Sequence, residues 1–566
     1  MGAYYDCMRD HRHLIFIPLA ALLAILPLIL KGPSCGHDFE FHLRNWLEVS
    51  SQWKQGVLFP HWEFTAAWNS GEPRFVFYPP LSWTIGAVLG LLLPWVAVPT
   101  TFIWLALISC GLTMYRLARE WTSSSKALIA AAFYMVNPYM LFVFYERAAY
   151  AELLAAAWIP LLLLAVLRPR LTLPGIAVPI GLLWLTNAPA AVMGSYTFAL
   201  VGAIRIVSTY RTAQGSQTAL REAVKIAAGA ILGIGLAACY VLPAAIEQRW
   251  VQISMPIIRG VRYQDNFFFG HLGEPSHDAI LRTASLCGVA LLILTGVFTA
   301  TALYSGSQEP NLSPAESGAR KRTILALFLL TCIIAFLLTS PSAFLWRHVP
   351  ELSNLQFPWR FCAILGATTT ALLALAMPGT KPHRAVVAAI ALTLTLALTF
   401  GGNYFFRQPC YAAATVPSLV ASFYNGGRYD PTDEYTPIGA DPEALQHSNP
   451  ASWIAATPTD PAPQTAAGDY SIALARRLHF YVSTPVPRYI VLSLRDYSAW
   501  RITINGTPND SRPHRKDGLI ALPIASGISK IDITYARTPD QTAGWIITAL
   551  SAASLLFVSR KHEQIT

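Results

Sequence analysis

Charge is scarce in this chain of 566 residues: Asp, Glu, Lys and Arg together make up 13%, while 54% of the residues are apolar. So little charge excludes a water-soluble globular protein of this length, and it excludes disordered and coiled-coil chains as well. Cysteine is sparse too. The eight residues include no C-x-x-C pair, so neither a zinc site nor a disulfide framework can be read from their spacing. Cys35 and Cys410 lie on the expected outer side, where oxidation is open to them. Internal repeats and low-complexity tracts are absent, and the apolar runs carry essentially no ionisable residue at their centres. That last absence argues against an ion-coupled transporter or a flippase, which need charge in mid-membrane.

What the chain has instead is long apolar runs. They fall at 14–30, 98–115, 127–144, 151–167, 172–186, 188–207, 223–243, 283–304, 323–340, 361–378, 385–401 and 543–559. Each is long enough for a hydrocarbon layer of ~30 Å, giving about 12 spans. The first follows Arg9 and Arg12 but no small-x-small cleavage site follows it, and Gly32-Pro33-Ser34-Cys35 is a poor lipoprotein box. It is expected to be a retained helix with a cytoplasmic N-terminus.

Pro79 to Trp95 is apolar but short, interrupted by Gly86, Gly90 and Pro94. If it does not span, one side of the membrane receives Arg116, Arg119 and Lys126, then Arg168 and Arg170, Arg211, Arg221 and Lys225, Arg320 to Arg322, Lys381 and Arg384, and Arg560 with Lys561. The positive-inside bias makes that side cytoplasmic, and the net charge of +10 is then a topological signal rather than a nucleic-acid footprint. Residues 79–95 are therefore expected to form a re-entrant or interfacial helix. The fold class is a polytopic α-helical membrane protein of the bacterial inner membrane, with both termini cytoplasmic.

The outer face then carries a loop at 31–97, a short turn near Glu146, loops at 244–281 and 341–360, and a long segment at 402–541. In the last, alternating runs at 469–475, 478–484, 488–495, 500–505 and 529–535, with Asn505-Gly506 and Asp517-Gly518 between runs, predict an extracytoplasmic β-sandwich-like domain. The expected organisation is 1–401 transmembrane domain, 402–541 linker and β-rich domain, and 542–566 final helix and tail.

Ionisable residues cluster just beyond the outer helix ends: Asp38, Glu40 and His42, then Glu146, Arg147 and Glu152, then Arg360. This is the distribution of an enzyme acting at the outer interface on a substrate with a wet head group and a lipid tail. Asp38 and His42 share a face at helical spacing. Arg147 reads either as the ion-pair partner of Glu146 or as a clamp for phosphate, where a guanidinium offers paired donors. Arg360 reads as a phosphate ligand or as a side chain snorkelling to lipid. Trp453, Tyr497 and Trp500 read as β-domain core or as a carbohydrate-stacking platform.

With these residues on view, the chain resembles the GT-C superfamily of polytopic glycosyltransferases, and within it bacterial membrane proteins labelled as related to pyruvoyl-tetrahydropterin synthase. The resemblance is carried by Asp38 with His42, by Gly71-x-Pro73-x-Phe75-x-Phe77-Tyr78-Pro79-Pro80, by Glu146-Arg147 with Tyr150-Ala151-Glu152, and by Asn354-x-Gln356-Phe357-Pro358-Trp359-Arg360-Phe361. It implies transfer of a sugar, with inversion, from a polyprenyl-phosphate donor to a glycan, lipid or polymer acceptor on the extracytoplasmic face. It implies Asp38 as general base with Glu146 the second catalytic acid, and His42 orienting Asp38. Arg147 and Arg360 would neutralise the leaving phosphate, and Glu152, Tyr78 and Gln356 would bind substrate. Neither loop holds a D-x-D pair, so dependence on a divalent metal stays open. The protein-glycosylating members carry a tryptophan-rich motif that has no counterpart at 402–541, which argues against a peptide acceptor. Two other readings stand beside this one: a polysaccharide polymerase or flippase, and a non-catalytic envelope assembly protein on the same scaffold.

Overall fold

The computed structural model describes residues 12–211, 215–254, 258–307, 313–377, 381–406, 410–427, 429–463 and 477–563. Among them, eight helices are long and apolar enough to cross a membrane, and two bent pairs raise this to ten if each pair is one span. The bent pairs are Gly215–Leu236 with Ala238–Trp250, at 76°, and Glu316–Leu337 with Ser340–His348, at 91°. All twelve expected segments are helical, but two fall short of spanning length. The first is broken into Phe16–Ala24 and Leu26–Lys31 at Ile25, whose ψ of 7° leaves the helical range just before Pro27. The other, Leu173–Thr186, has 14 residues and so covers about 21 Å at 1.5 Å per residue.

Pro80–Leu92 is a 13-residue helix, about 20 Å long and too short to cross. It packs on Phe39–Lys54, the helix that follows Asp38. A Cβ at Gly86 would meet the Trp46 indole at 2.3 Å, so only glycine permits this approach. Phe39–Lys54 forms because Phe39, Leu43, Trp46 and Leu47 recur at helical spacing and bury one apolar face, with Glu40 in the positive first turn.

The β-rich region is two antiparallel sheets. One has the strand order β1 (Ser452–Ala455), β3 (Arg488–Arg495), β6 (Leu519–Ile524). The other runs β2 (Arg477–Thr484), β7 (Gly527–Tyr535), β4 (Trp500–Ile504), β5 (Thr507–Pro508). Ile490, Leu492, Ile520 and Leu522 of the first sheet pack against Ile502, Ile531 and Ile533 of the second. Four of the expected strands match β2, β3, β4 and β7; the run 469–475 lies outside the described residues. Asn505 and Gly506, at φ 53° and 82°, make the tight turn joining β4 to β5.

This core is not closed by the two sheets alone. Trp62, Val76 and Phe77 of the first loop are buried in the same cluster, Trp62 lying edge-on to Trp500 with centroids 5.3 Å apart. Trp453, Tyr497 and Trp500 are core residues too, each at most 6% exposed, so they offer no carbohydrate platform.

Between loop and sandwich lies a buried charge cluster. The Arg74 guanidinium sits 2.6 Å from Glu63 and 2.7 Å from Glu72, and it donates to Asn45 at 3.0 Å and Thr432 at 2.7 Å. Glu72 also lies 3.9 Å from Arg495 of β3, and both are fully buried. On the far side, Glu247 accepts from Tyr497, Thr538 and Gln541, fastening the bent helix to the sandwich and to the last helix, Pro539–Glu563.

Candidate functional site

Asp38 occupies the position just before Phe39–Lys54, and its backbone is bolted to a distant turn. Its N–H donates to the Arg147 carbonyl at 3.0 Å. Two residues earlier, a Cβ on Gly36 would sit 2.2 Å from the Glu146 carbonyl oxygen, so the loop passes this turn at a distance only glycine allows. One residue earlier still, Cys35 is disulfide-bonded to Cys410. That pair, invisible in cysteine spacing, joins the two cysteines expected from the sequence to share one side of the membrane.

Arg147 ends the wide turn Phe142–Arg147, and Ala148 follows at φ 53°, in the left-handed region. The reversal starts a new helix at Tyr150 with Glu152 in its first turn, which brings Glu152 back beside Arg147. Arg147 Nη1 then lies 2.6 Å from Glu152 Oε2, and Nη2 lies 3.3 Å from Asp38 Oδ2. Tyr139, two helical turns before Arg147, donates its hydroxyl to Glu152 Oε1 at 2.5 Å. The guanidinium also lies over the Trp359 ring, 4.7 Å from its centroid.

Arg360 arrives from a third part of the chain. Gln356, at φ 64°, turns the backbone ahead of the short helix Pro358–Phe361. Arg360 Nη1 donates to the Leu355 carbonyl at 2.7 Å and the guanidinium stacks over Phe357 at 4.9 Å. Its Nε lies 3.9 Å from Glu152 Oε2, so it turns inward to the cluster instead of outward to lipid. Two guanidiniums thus flank one carboxylate, and a second carboxylate, Asp38, caps the array. Exposure separates the two acids: the Asp38 side chain is 39% exposed, against 6% for Glu152 and 6% for Arg147.

His42 does not orient Asp38 by a hydrogen bond, a correction to the sequence reading. Its Nε2 accepts from the Tyr150 N–H at 3.1 Å, and the ring lies against the Tyr150 ring at a 30° tilt with centroids 5.2 Å apart. An accepting Nε2 puts the proton of the neutral ring on Nδ1. Burial pushes the imidazole down to about 4, against the weaker pull of Asp38 in the other direction. His42 therefore acts as a neutral strut between the Asp38 helix and the Glu152 helix.

Glu146 is buried, but Arg147 is held by Asp38, Glu152 and Trp359, so pairing with its chain neighbour is not its anchor. Glu146 lies instead near Cys287 of Pro275–Ser307, because consecutive helical residues point about 100° apart. Tyr78 packs edge-on against Phe41, centroids 5.0 Å apart, and burial with the nearby Asp38 charge raises its phenol. Gln356 contributes its turn. Tyr139 was missing from the sequence reading, since a tyrosine within an apolar run carries no signal of a polar partner. Glu72 and Arg74 were passed over as the unassigned positions between Gly71, Pro73 and Phe75. Among the described residues no three His, Cys, Asp or Glu side chains are grouped closely enough to hold a metal ion.

No known family model matches the chain, and no curated protein matches it. Among solved structures it is similar to the arabinofuranosyltransferase AftD from Mycobacteria, with 15% identity and a TM-score of 0.39 over 70% of this chain and 27% of that one. It is also similar to the oligosaccharyltransferase of Archaeoglobus fulgidus in its apo form, with 15% identity and a TM-score of 0.35 over 76% of this chain and 61% of that one. Both neighbours are glycosyltransferases by name. This chain spans about a quarter of the first and about three-fifths of the second.

Proposed function

We propose that the protein is a membrane glycosyltransferase of GT-C type that moves a sugar from a polyprenyl-phosphate donor to a glycan, lipid or envelope polymer on the extracytoplasmic face. The observation that carries this reading is the meeting of Asp38, Arg147, Glu152 and Arg360 from three separate turns, with only Asp38 substantially open to solvent. The Cys35–Cys410 bond supports the outer placement of this face, since disulfides persist in oxidising compartments.

In this reading Asp38 takes the proton of the acceptor hydroxyl as its oxygen bonds to the anomeric carbon. The bond from that carbon to the phosphate oxygen breaks, and the electron pair leaves with polyprenyl phosphate. The donor carries one negative charge as a phosphodiester and the leaving group two, while Asp38 goes from one to none. Total charge is constant, and negative charge moves from the Asp38 carboxylate to the phosphate. Arg147, bonded to Asp38 at rest, is thereby freed to follow it, and Arg360 supplies the second set of donors. Glu152, itself held by Tyr139, keeps the Nη1 end of Arg147 anchored while the Nη2 end turns from Asp38 to the phosphate.

The test is release of free polyprenyl phosphate by detergent-purified protein from a panel of polyprenyl-phosphate sugars, with and without chelator. Turnover of one donor, lost in Asp38→Asn, supports the reading. Equal turnover by wild type and Asp38→Asn, or none across the panel, removes it.

A further inference from the structure

A groove lies away from this cluster, where the bent helix meets the sandwich. Its volume is about 500 Å³ and its lining is mostly polar. One wall is Arg249 and Trp250, which continue the helix Ala238–Glu247. The rest of the lining comes mostly from the loop before β4, from the segment 510–519, and from Pro437 and Ile438, the last donating its N–H to the Trp250 carbonyl at 3.1 Å.

Its floor is rigid. Tyr497 and Trp500 are 2% and 3% exposed, and the Tyr497 hydroxyl is held by Glu247. Arg512 is tied to Asp496 at 2.6 Å and to the carbonyls of Tyr497 and Trp500. Arg515 is tied to Asp517 at 2.6 Å. Those two pairs cancel in charge. What is left along the groove is Arg249 and Arg501, both exposed and neither in an ion pair among the described residues, against the single carboxylate of Asp510. The Trp250 ring, half-buried and edge-on to Tyr497 at 5.3 Å, carries the Arg249 guanidinium over it, 5.3 Å from its centroid, so the cation and the indole present one combined edge to the groove. Guanidiniums that recognise carboxylate or phosphate beside a flat indole suit an acidic sugar better than a neutral one.

The groove lies on the same helix as a residue that touches the Tyr78 segment. On the same helix, ten residues before Trp250, Tyr240 donates to the Phe77 carbonyl at 2.9 Å, next to Tyr78. Ten helical residues cover about 15 Å, a distance that a few linked sugar residues bridge. Resting on the transferase reading above, we infer that this groove between Arg249, Trp250 and Arg501 holds an anionic saccharide, the part of the acceptor behind the sugar that receives the transfer.

The probe is tetragalacturonate, titrated calorimetrically into the full-length protein in phosphatidylcholine nanodiscs, with maltotetraose as the neutral control. The acidic sugar binds in a salt-sensitive manner, and the neutral one binds at least about tenfold more weakly. The double variant Arg249→Ala/Arg501→Ala loses at least about tenfold in affinity for the acid, while Arg249→Lys/Arg501→Lys retains most of it. Equal affinity for the two sugars, unchanged affinity in the alanine variant, or no binding of the acid overturns the inference. Loss of binding when about a third of the lipid is phosphatidylglycerol also overturns it, assigning the arginines to membrane phosphate. Hydrolysis of the sugar donor, which needs no acceptor, keeps the two ideas apart. A protein that consumes donor but ignores tetragalacturonate fails only the groove, and one that binds the acid but consumes no donor fails only the transferase reading.

Discussion

Arg147 Nη2 reaches Asp38 Oδ2 at 3.3 Å across 109 residues of sequence. Asparagine at position 38 keeps an oxygen for that hydrogen bond but cannot take a proton. Asp38→Asn is expected to lower transfer by about 10²–10⁴-fold while leaving the melting temperature unchanged. Polyprenyl phosphate release and a thermal melt on one preparation decide it, and a melt that falls with activity would make Asp38 structural.

Arg147 serves two carboxylates at once, which a single ammonium point charge cannot reproduce. Arg147→Lys should lose about 10²-fold or more in turnover. Arg147→Met should in addition lose about 3–5 kcal/mol of stability, because Glu152 is left buried without its partner. The comparison of the two variants by denaturation separates catalytic loss from structural loss.

The Arg74 cluster predicts stability without chemistry. Arg74→Met strands Glu63 and Glu72 in a fully buried setting and should cost about 3–5 kcal/mol. The removal of all three charges together should cost less than Arg74→Met alone. A triple variant weaker than the single one would contradict the account.

His42 predicts a pH dependence. Its folded value of about 4 lies below the unfolded 6.5, so the unfolded chain binds the proton first. The stability tied to the neutral ring is complete above pH 6.5 and is lost as pH falls toward 4, at up to about 1.4 kcal/mol per pH unit. His42→Gln, which keeps an acceptor for the Tyr150 N–H, should flatten that slope between pH 4.5 and 6.5. An identical slope in the two proteins would exclude His42 as its source.

Reduction of Cys35–Cys410 should loosen the segment that carries Asp38, three residues beyond Cys35. A several-fold fall in turnover under reductant is expected, absent in a Cys35→Ala/Cys410→Ala variant that starts from the lower level. Reductant that leaves wild-type turnover unchanged would show that the contacts of Gly36 and Asp38 with the 146–147 turn suffice.

What the sequence made legible follows from how each signal arises. Asp38, Arg147, Glu152 and Arg360 stand out because charges bordering apolar runs are few. Tyr139 does not, since its partner is set by a reversal at Ala148 that depends on an alanine adopting φ 53°. β6 was missed because Leu519–Ile524 is almost continuously apolar and buried, with no alternation for a period-two reading to find. β1 was missed because four residues carry too little pattern. Glu63, Glu72 and Arg74 carry no signal in the sequence, because two of the residues that enclose them, Thr432 and Arg495, are hundreds of positions away.

That same separation sets a schedule for biosynthesis. Trp62, Val76 and Phe77 leave the ribosome more than 400 residues before β3 to β7, whose core they complete. At about 5–20 residues per second the first loop waits roughly tens of seconds for its partner. Through that interval its tryptophan and phenylalanine have no sandwich to enter, and Glu72 lacks its Arg495 neighbour. The nascent chain is thus most open to proteolysis and misassociation in the segment 31–97, which also bears Asp38.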